Sequence, residues 1–309
     1  MSDDIQKHLR NAFEHAKAYR GQGRVADYIP ALAKVDPSKF GMSLALPNGK
    51  FYCVGDATEP FSIQSVSKVF TLSLALERSG DDLWKSVGRE PSGSSFNSIV
   101  QLETEGGIPR NPLINAGAIA TTDRLMDGQS ADDTAAEILA FMQERADDPS
   151  VFIDQEVASS EAATGSRNRS LAHFMEAFSN MRHPIETSLS VYFRQCAIAM
   201  STRQLARAGL YLAFGGTDPI SGKDIVSTEH CRHINAIMMG CGHYDNSGEF
   251  AYRVGLPGKS GVGGGILTIA PGRGAIAVWS PGLNDAGTSL VGSKALEHFV
   301  HALNWSIFT

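Results

Sequence analysis

The chain has 309 residues, 42% of them hydrophobic and 19% charged, with a formal net charge of -6, an ordinary globular composition for one large domain or two modest ones. That acidic balance argues against nucleic acid or an anionic membrane as the main partner. No apolar run is long enough to span a bilayer and no basic-then-apolar leader opens the chain, so a cytoplasmic protein without membrane contact is expected.

Residues 4–18 read as an amphipathic helix, with Ile5, Leu9, Phe13 and Ala16 along one packing stripe. A glycine turn then leads into Asp27-Tyr28-Ile29-Pro30, where Tyr28 passes as a surface or core aromatic. Two strand-like runs, Phe40-Gly41-Met42-Ser43-Leu44-Ala45-Leu46 and Lys50-Phe51-Tyr52-Cys53-Val54, flank Pro47-Asn48-Gly49. Asn-Gly between such runs predicts a hairpin.

The hairpin feeds Phe61-Ser62-Ile63-Gln64-Ser65-Val66-Ser67-Lys68-Val69-Phe70. The apolar run after Lys68, free of Gly and Pro, predicts a helix that begins just before Ser65. Ser65 and Lys68 then share a helix face, while Ser67 points away. An amine beside a hydroxyl activates serine without a histidine, provided the amine is neutral. Burial, the positive end of the helix and the like charge of Lys259 are all expected to lower the Lys68 pKa.

The middle of the chain, from about 76 to about 240, reads as helical, with periodic stretches at 132–145, 171–180 and 202–214. Four polar patches interrupt it or follow it, around Asn111 to Asn115, Glu161 to Asn168, Tyr192 and Tyr244. Taken singly, each is more often structural, Asn115 as a turn or cap, Glu161 as an exposed carboxylate, Asn168 as a loop amide and the two tyrosines as core aromatics, while its place in a loop or at a helix end also makes it a candidate for a site wall.

Strand signals return at 250–254, 260–270 and 274–280. An antiparallel sheet built from both chain ends, residues 1–75 and 241–309, with a helical domain of residues 76–240 inserted between, is the expected α+β architecture, with the site at the junction. The glycine-rich segment opens with Lys259-Ser260-Gly261, which has the form of the Lys-Thr/Ser-Gly element that accompanies Ser-x-x-Lys in penicillin-binding proteins and β-lactamases. The backbone N–H groups of Ser65 and Val262 are the candidate oxyanion donors. The four cysteines, Cys53, Cys196, Cys231 and Cys241, form no Cys-x-x-Cys pair, and reduced thiols with no metal or other cofactor are expected.

Together, Asp27-Tyr28-Ile29-Pro30, Gln64-Ser65-Val66-Ser67-Lys68, Asn111-Pro112 with Asn115-Ala116-Gly117, Ser160-Glu161 with Arg167-Asn168, Tyr192, Tyr244-Asp245 and Lys259-Ser260-Gly261-Val262 resemble the serine-dependent glutaminases of β-lactamase-like fold. The resemblance runs from about residue 24 to about 285. It implies hydrolysis of L-glutamine to L-glutamate and ammonia through a Ser65 acyl-enzyme, with Lys68 as base and Tyr244 and Lys259 in the catalytic set. It also implies substrate contacts from Tyr28, Ser65, Asn115, Glu161, Asn168, Tyr192, Tyr244 and Val262. Glu161 suits the substrate ammonium; Asn115, Asn168 and the tyrosines suit its carboxylate.

No Ser-Asp-Asn element lies between the two lysine motifs, which weakens an antibiotic or cell-wall reading. The chain resembles the short bacterial glutaminases, without ankyrin repeats, so a homodimer or homotetramer is expected. A β-lactamase-like amidase or acyl-serine hydrolase of another substrate is the alternative, separable by a chromogenic cephalosporin assay. A binder that performs no chemistry is disfavoured, because it needs no activated serine.

Overall fold

The computed structural model describes residues 2–92 and 99–308. Strands β1 (Gly41–Ala45) and β2 (Phe51–Gly55) form the expected antiparallel hairpin, and Gly49 adopts the positive φ of 78° that its turn requires. β6 (Gly258–Ser260), β7 (Gly265–Ala270) and β8 (Gly274–Trp279) complete a sheet in the order β2-β1-β8-β7-β6, antiparallel throughout. Both ends of the chain therefore build one sheet. A second sheet of very short strands, β3 (Phe61–Ser62), β4 (Phe152–Ile153) and β5 (Ile198–Met200), runs β3-β5-β4.

The large sheet is buried on both faces by period-two alternation. Met42, Leu44, Ile276 and Val278 pack with Leu9, Phe13, Leu296 and Phe299 of helices α1 (Ser2–Lys17) and α12 (Leu290–Leu303). Ala45, Leu267, Ile269, Ala275, Ala277 and Trp279 join the opposite core, which continues into the helices between the strands. Burial of each large apolar side chain there is worth about 1.5–3 kcal/mol.

Those helices are α2 (Ser67–Ser79), α3 (Ile99–Thr104), α4 (Asn115–Leu125), α5 (Ala131–Ala146), α6 (Gln155–Thr164), α7 (Ser166–Ala177), α8 (Ile185–Cys196), α9 (Thr202–Ala208) and α10 (Thr228–Cys241). Side-chain caps open some of them: Asp154 accepts from the N–H groups of Glu156 and Val157 at the start of α6, and Ser201 forms a capping box with Gln204 at α9.

The structure corrects the strand reading in two places. Residues 250–254 are not a strand, because α11 (Ser247–Arg253) covers most of them. Phe250 and Val254, four residues apart, are buried in the core under α12, and Glu249 pairs with Arg253 at the same spacing, so the helical period wins over the apparent alternation. The run 260–270 is broken into β6 and β7 by a turn in which Gly264 has a φ of 90° and its N–H donates to the Gly261 carbonyl at 2.9 Å. That turn proves to be part of the site.

Candidate active site

Ser65 does not lie on an α-helix. Gln64 takes a positive φ of 49°, one 3-10 turn covers Gln64–Val66, and α2 starts only at Ser67. Ser65 is thus held on a sharp strand-to-helix turn rather than on the Lys68 face of a regular helix. Such a φ is costly for a residue with a Cβ and persists where surrounding structure enforces it. Tyr244 also has positive φ, 58°, and both residues line the same cavity.

The glycine turn between β6 and β7 is pressed against this elbow. A Cβ on Gly261 would come within 2.4 Å of the Ile63 carbonyl oxygen and 3.2 Å of the Ser65 nitrogen, and one on Gly263 within 2.2 Å of the Ser62 oxygen. Only glycine permits the approach. Val262, between them, lines the cavity with Ser65, and among the described residues neither the Ser65 nor the Val262 N–H has a hydrogen-bond acceptor.

The cavity has a volume of about 420 Å³. Tyr28, Ser65, Asn115, Glu161, Asn168, Tyr192, Tyr244 and Val262 all line it, so the structure brings together the whole expected contact set from separate elements. Tyr28, 55% exposed, stands at its rim, whereas Tyr192 and Tyr244 are buried. The Tyr244 hydroxyl hydrogen-bonds with the Ser65 side chain; burial raises its pKa, and that bond opposes the rise.

Lys68 and Lys259 lie behind the cavity wall. The Lys68 amine donates to Asn115 Oδ1 at 2.7 Å and to the Leu113 carbonyl at 3.3 Å; among the described residues Ser65 Oγ is not one of its partners. Asn111 sets this geometry up, its Oδ1 accepting from the Leu113 and Ile114 N–H groups just ahead of α4. Burial brings the Lys68 pKa down to about 8, against the opposing pull of Cys196 and Glu161. Active sites often carry loose hydrogen bonds that tighten only with substrate bound.

The expected push of Lys259 on Lys68 runs the other way. Lys259 is 0% exposed, and burial followed by the charge of Lys68 holds its pKa well below the usual amine value. The Lys68 shift itself comes from burial, with Cys196 and Glu161 as the charges acting on it and no contribution from Lys259. Its Nζ donates to the Gly242 and Ser260 carbonyls at 3.0 and 2.6 Å and sits 4.3 Å from the centre of the Tyr244 ring, so its contacts fix the Tyr244 segment. Lys259→Met should therefore lower kcat and cost about 1–3 kcal/mol of stability for the hydrogen bonds it loses, leaving the rising limb of the pH profile in place. A limb displaced to higher pH in that variant would restore the direct charge coupling; thermal unfolding and a kcat/KM profile check both.

Glu161, 8% exposed on α6, has its pKa raised to about 7 by burial, with the Gln64 side chain and Lys68 acting in the opposite direction. The Asn115 amide donates to Asn168 Oδ1 at 3.0 Å, tying the start of α4 to α7. Sequence reasoning missed Gln64 and Cys196. Gln64 bridges the Ser62 hydroxyl, at 2.9 Å, and the Glu161 carboxylate. Cys196 lines the cavity with its thiol pKa pushed up to about 12 by burial; its place one helical turn after Tyr192 on α8 was the available signal.

Comparison with known proteins identifies the family. A family model described as Glutaminase matches residues 23–308. The glutaminase of Rhizobium meliloti (strain 1021) is 56% identical over 306 residues, covering 99% of this chain and 97% of that protein. Among solved structures, a probable glutaminase superposes with a TM-score of 0.95 at 37% identity, covering 100% of this chain and 99% of its own. A probable glutaminase of Bacillus subtilis complexed with 6-diazo-5-oxo-L-norleucine gives a TM-score of 0.88 at 32% identity, covering 97% and 96%.

Proposed function

Because the chain belongs to the glutaminase family, whose members hydrolyse glutamine, we propose that the cavity at Ser65 binds L-glutamine and cleaves its side-chain amide through a Ser65 acyl-enzyme. The observation that carries this reading is the pair of unsatisfied N–H groups, on Ser65 and Val262, brought to one cavity beside the Ser65 hydroxyl. Donors aimed at a developing oxyanion are often the largest single contribution to acyl transfer. Neutral Lys68 takes the Ser65 proton, and Tyr244, in contact with Ser65, delivers a proton to the departing ammonia. Water then attacks the ester, giving a proton back to Tyr244, while protonated Lys68 returns its proton to the departing Ser65 oxygen, so glutamate leaves and both groups are restored.

Electrophile labelling tests the nucleophile directly. 6-Diazo-5-oxo-L-norleucine, with which the Bacillus subtilis relative was complexed, should inactivate this enzyme with one equivalent bound, and peptide mass spectrometry should place the adduct on Ser65. An adduct elsewhere discards the assignment. Turnover of a chromogenic cephalosporin at rates matching glutamine would favour the acyl-serine hydrolase of another substrate.

Glu161 is assigned to the substrate ammonium. Glu161→Gln should raise the KM for glutamine by a factor corresponding to roughly 2–5 kcal/mol, with the fold retained. In the free enzyme a pKa of about 7 leaves part of the Glu161 population neutral near neutral pH, and the incoming cation favours the anion. KM should therefore rise as pH falls below about 7, and binding there should release a proton. Calorimetry in buffers of different ionisation enthalpy measures that proton; its absence, with an unchanged KM in Glu161→Gln, removes Glu161 from the site.

A further inference from the structure

We propose that Arg167 selects substrates bearing a free α-carboxylate, an inference that rests on glutamine occupying the cavity beside Ser65. A free amino acid brings two opposite charges. Glu161 answers the ammonium; Asn115, Asn168 and the tyrosines offer the carboxylate neutral donors but no charge, and the lysines supply none either, because Lys68 must be neutral for its chemistry and both Lys68 and Lys259 lie behind the wall, engaged by Asn115 and backbone carbonyls. Among the described residues, Arg167 is the one lysine or arginine that lines the cavity.

The local structure explains why it is free to act. α6 ends at Gly165, where a Cβ would come within 2.5 Å of Phe193 Cζ, and the chain bends there directly into α7. The bend sets Glu161 and Arg167 on successive helices facing one cavity. Two residues on, Arg169 is fully committed, with Nε and Nη2 on the Glu186 carboxylate at 2.7 and 3.0 Å and Nη1 on the Ala162 carbonyl at 2.8 Å. Arg167 is exposed and, among the described residues, has no acceptor of its own. A guanidinium fork matches a carboxylate by two parallel hydrogen bonds, and the positive end of α7 lies beside it.

The test compares glutamine with its neutral α-amide, which keeps the ammonium and the side-chain amide but lacks the carboxylate. The amide is followed as a substrate or, where turnover is too slow, as a competitive inhibitor. Arg167→Ala should raise the KM for glutamine roughly tenfold, change kcat less than twofold, and leave the constant for the α-amide unmoved. Arg167→Lys, which keeps the charge and loses the fork, should fall between. The KM of the parent enzyme for glutamine should rise with ionic strength, and Arg167→Ala should flatten that dependence. An equal rise for glutamine and its amide would make Arg167 a structural residue and overturn the proposal. Glu161→Gln is the control, because both compounds carry the ammonium. If it raises both constants while Arg167→Ala raises neither, the Arg167 proposal fails alone; if neither variant moves either constant, glutamine binds elsewhere and the underlying reading fails.

Discussion

Ser65→Ala should abolish glutamine hydrolysis, while Ser67→Ala should keep kcat within a few-fold of the parent enzyme. Loss of a nucleophilic serine costs on the order of 10⁶ in kcat where it has been measured in a serine hydrolase, so the first variant should retain only background turnover. The two serines are two positions apart in sequence and both buried, but their surroundings differ. Ser65 occupies the elbow after Gln64, lines the cavity and meets Tyr244. Ser67 is the first residue of α2, 1% exposed, absent from the cavity wall, with only the weak partner Cys196 beside its Oγ. Removal of so poorly bonded a buried hydroxyl costs little. Ammonia release from both variants, with circular dichroism to confirm folding, decides; matching losses in two well-folded variants would deny Ser65 its special role.

The second large effect concerns Lys68. Lys68→Arg should lose activity by about 10²–10⁴-fold, because a guanidinium retains the charge and cannot deprotonate to take the Ser65 proton. In the parent enzyme kcat/KM should rise with pH through a limb near 8, the pKa to which burial brings Lys68. The sign follows from the chemistry: below that pKa the amine is already protonated and Ser65 stays a weak nucleophile. Glu161 and Lys68 interact and both titrate near neutrality, so the acid side should fall more steeply than a single proton allows, with apparent values that belong to the pair. Lys68→Ala offers an independent check, since small primary amines in solution should restore part of its activity. A Lys68→Arg enzyme with parental kcat would discard Lys68 as the base and leave Tyr244, hydrogen-bonded to the Ser65 side chain, as the candidate.

Much of the fold was legible because local chemistry decided it. Pro47-Asn48-Gly49 between two β-rich runs forms its hairpin through a glycine at positive φ, and the stripe of Leu9, Phe13 and Ala16 buries itself on the sheet as its helical period demands. The segment 250–254 misled because Phe250, Tyr252 and Val254 alternate as a strand would, while the four-residue spacing of Phe250 and Val254 served a helix. β3 and β4 are two-residue strands, too short to leave any period in the sequence.

The sequence by itself determined the chemical inventory of this glutaminase: a serine with a lysine three residues on, a Lys-Ser-Gly before a glycine run, one acidic residue and a set of amides and tyrosines, each tied to its place by residue type and spacing. Only the tertiary structure decided what that inventory does. Ser65 leaves the helix for a strained elbow because the glycine turn 261–264 packs against its backbone, a contact between segments almost two hundred residues apart in sequence. The lowered pKa values of Lys68 and Lys259 and the raised pKa of Glu161 come from burial by surrounding elements, which no local pattern encodes. Arg167 and Arg169 are identical as letters two positions apart. Glu186 and the Ala162 carbonyl occupy one of them, and the bend at Gly165 leaves the other open to the cavity.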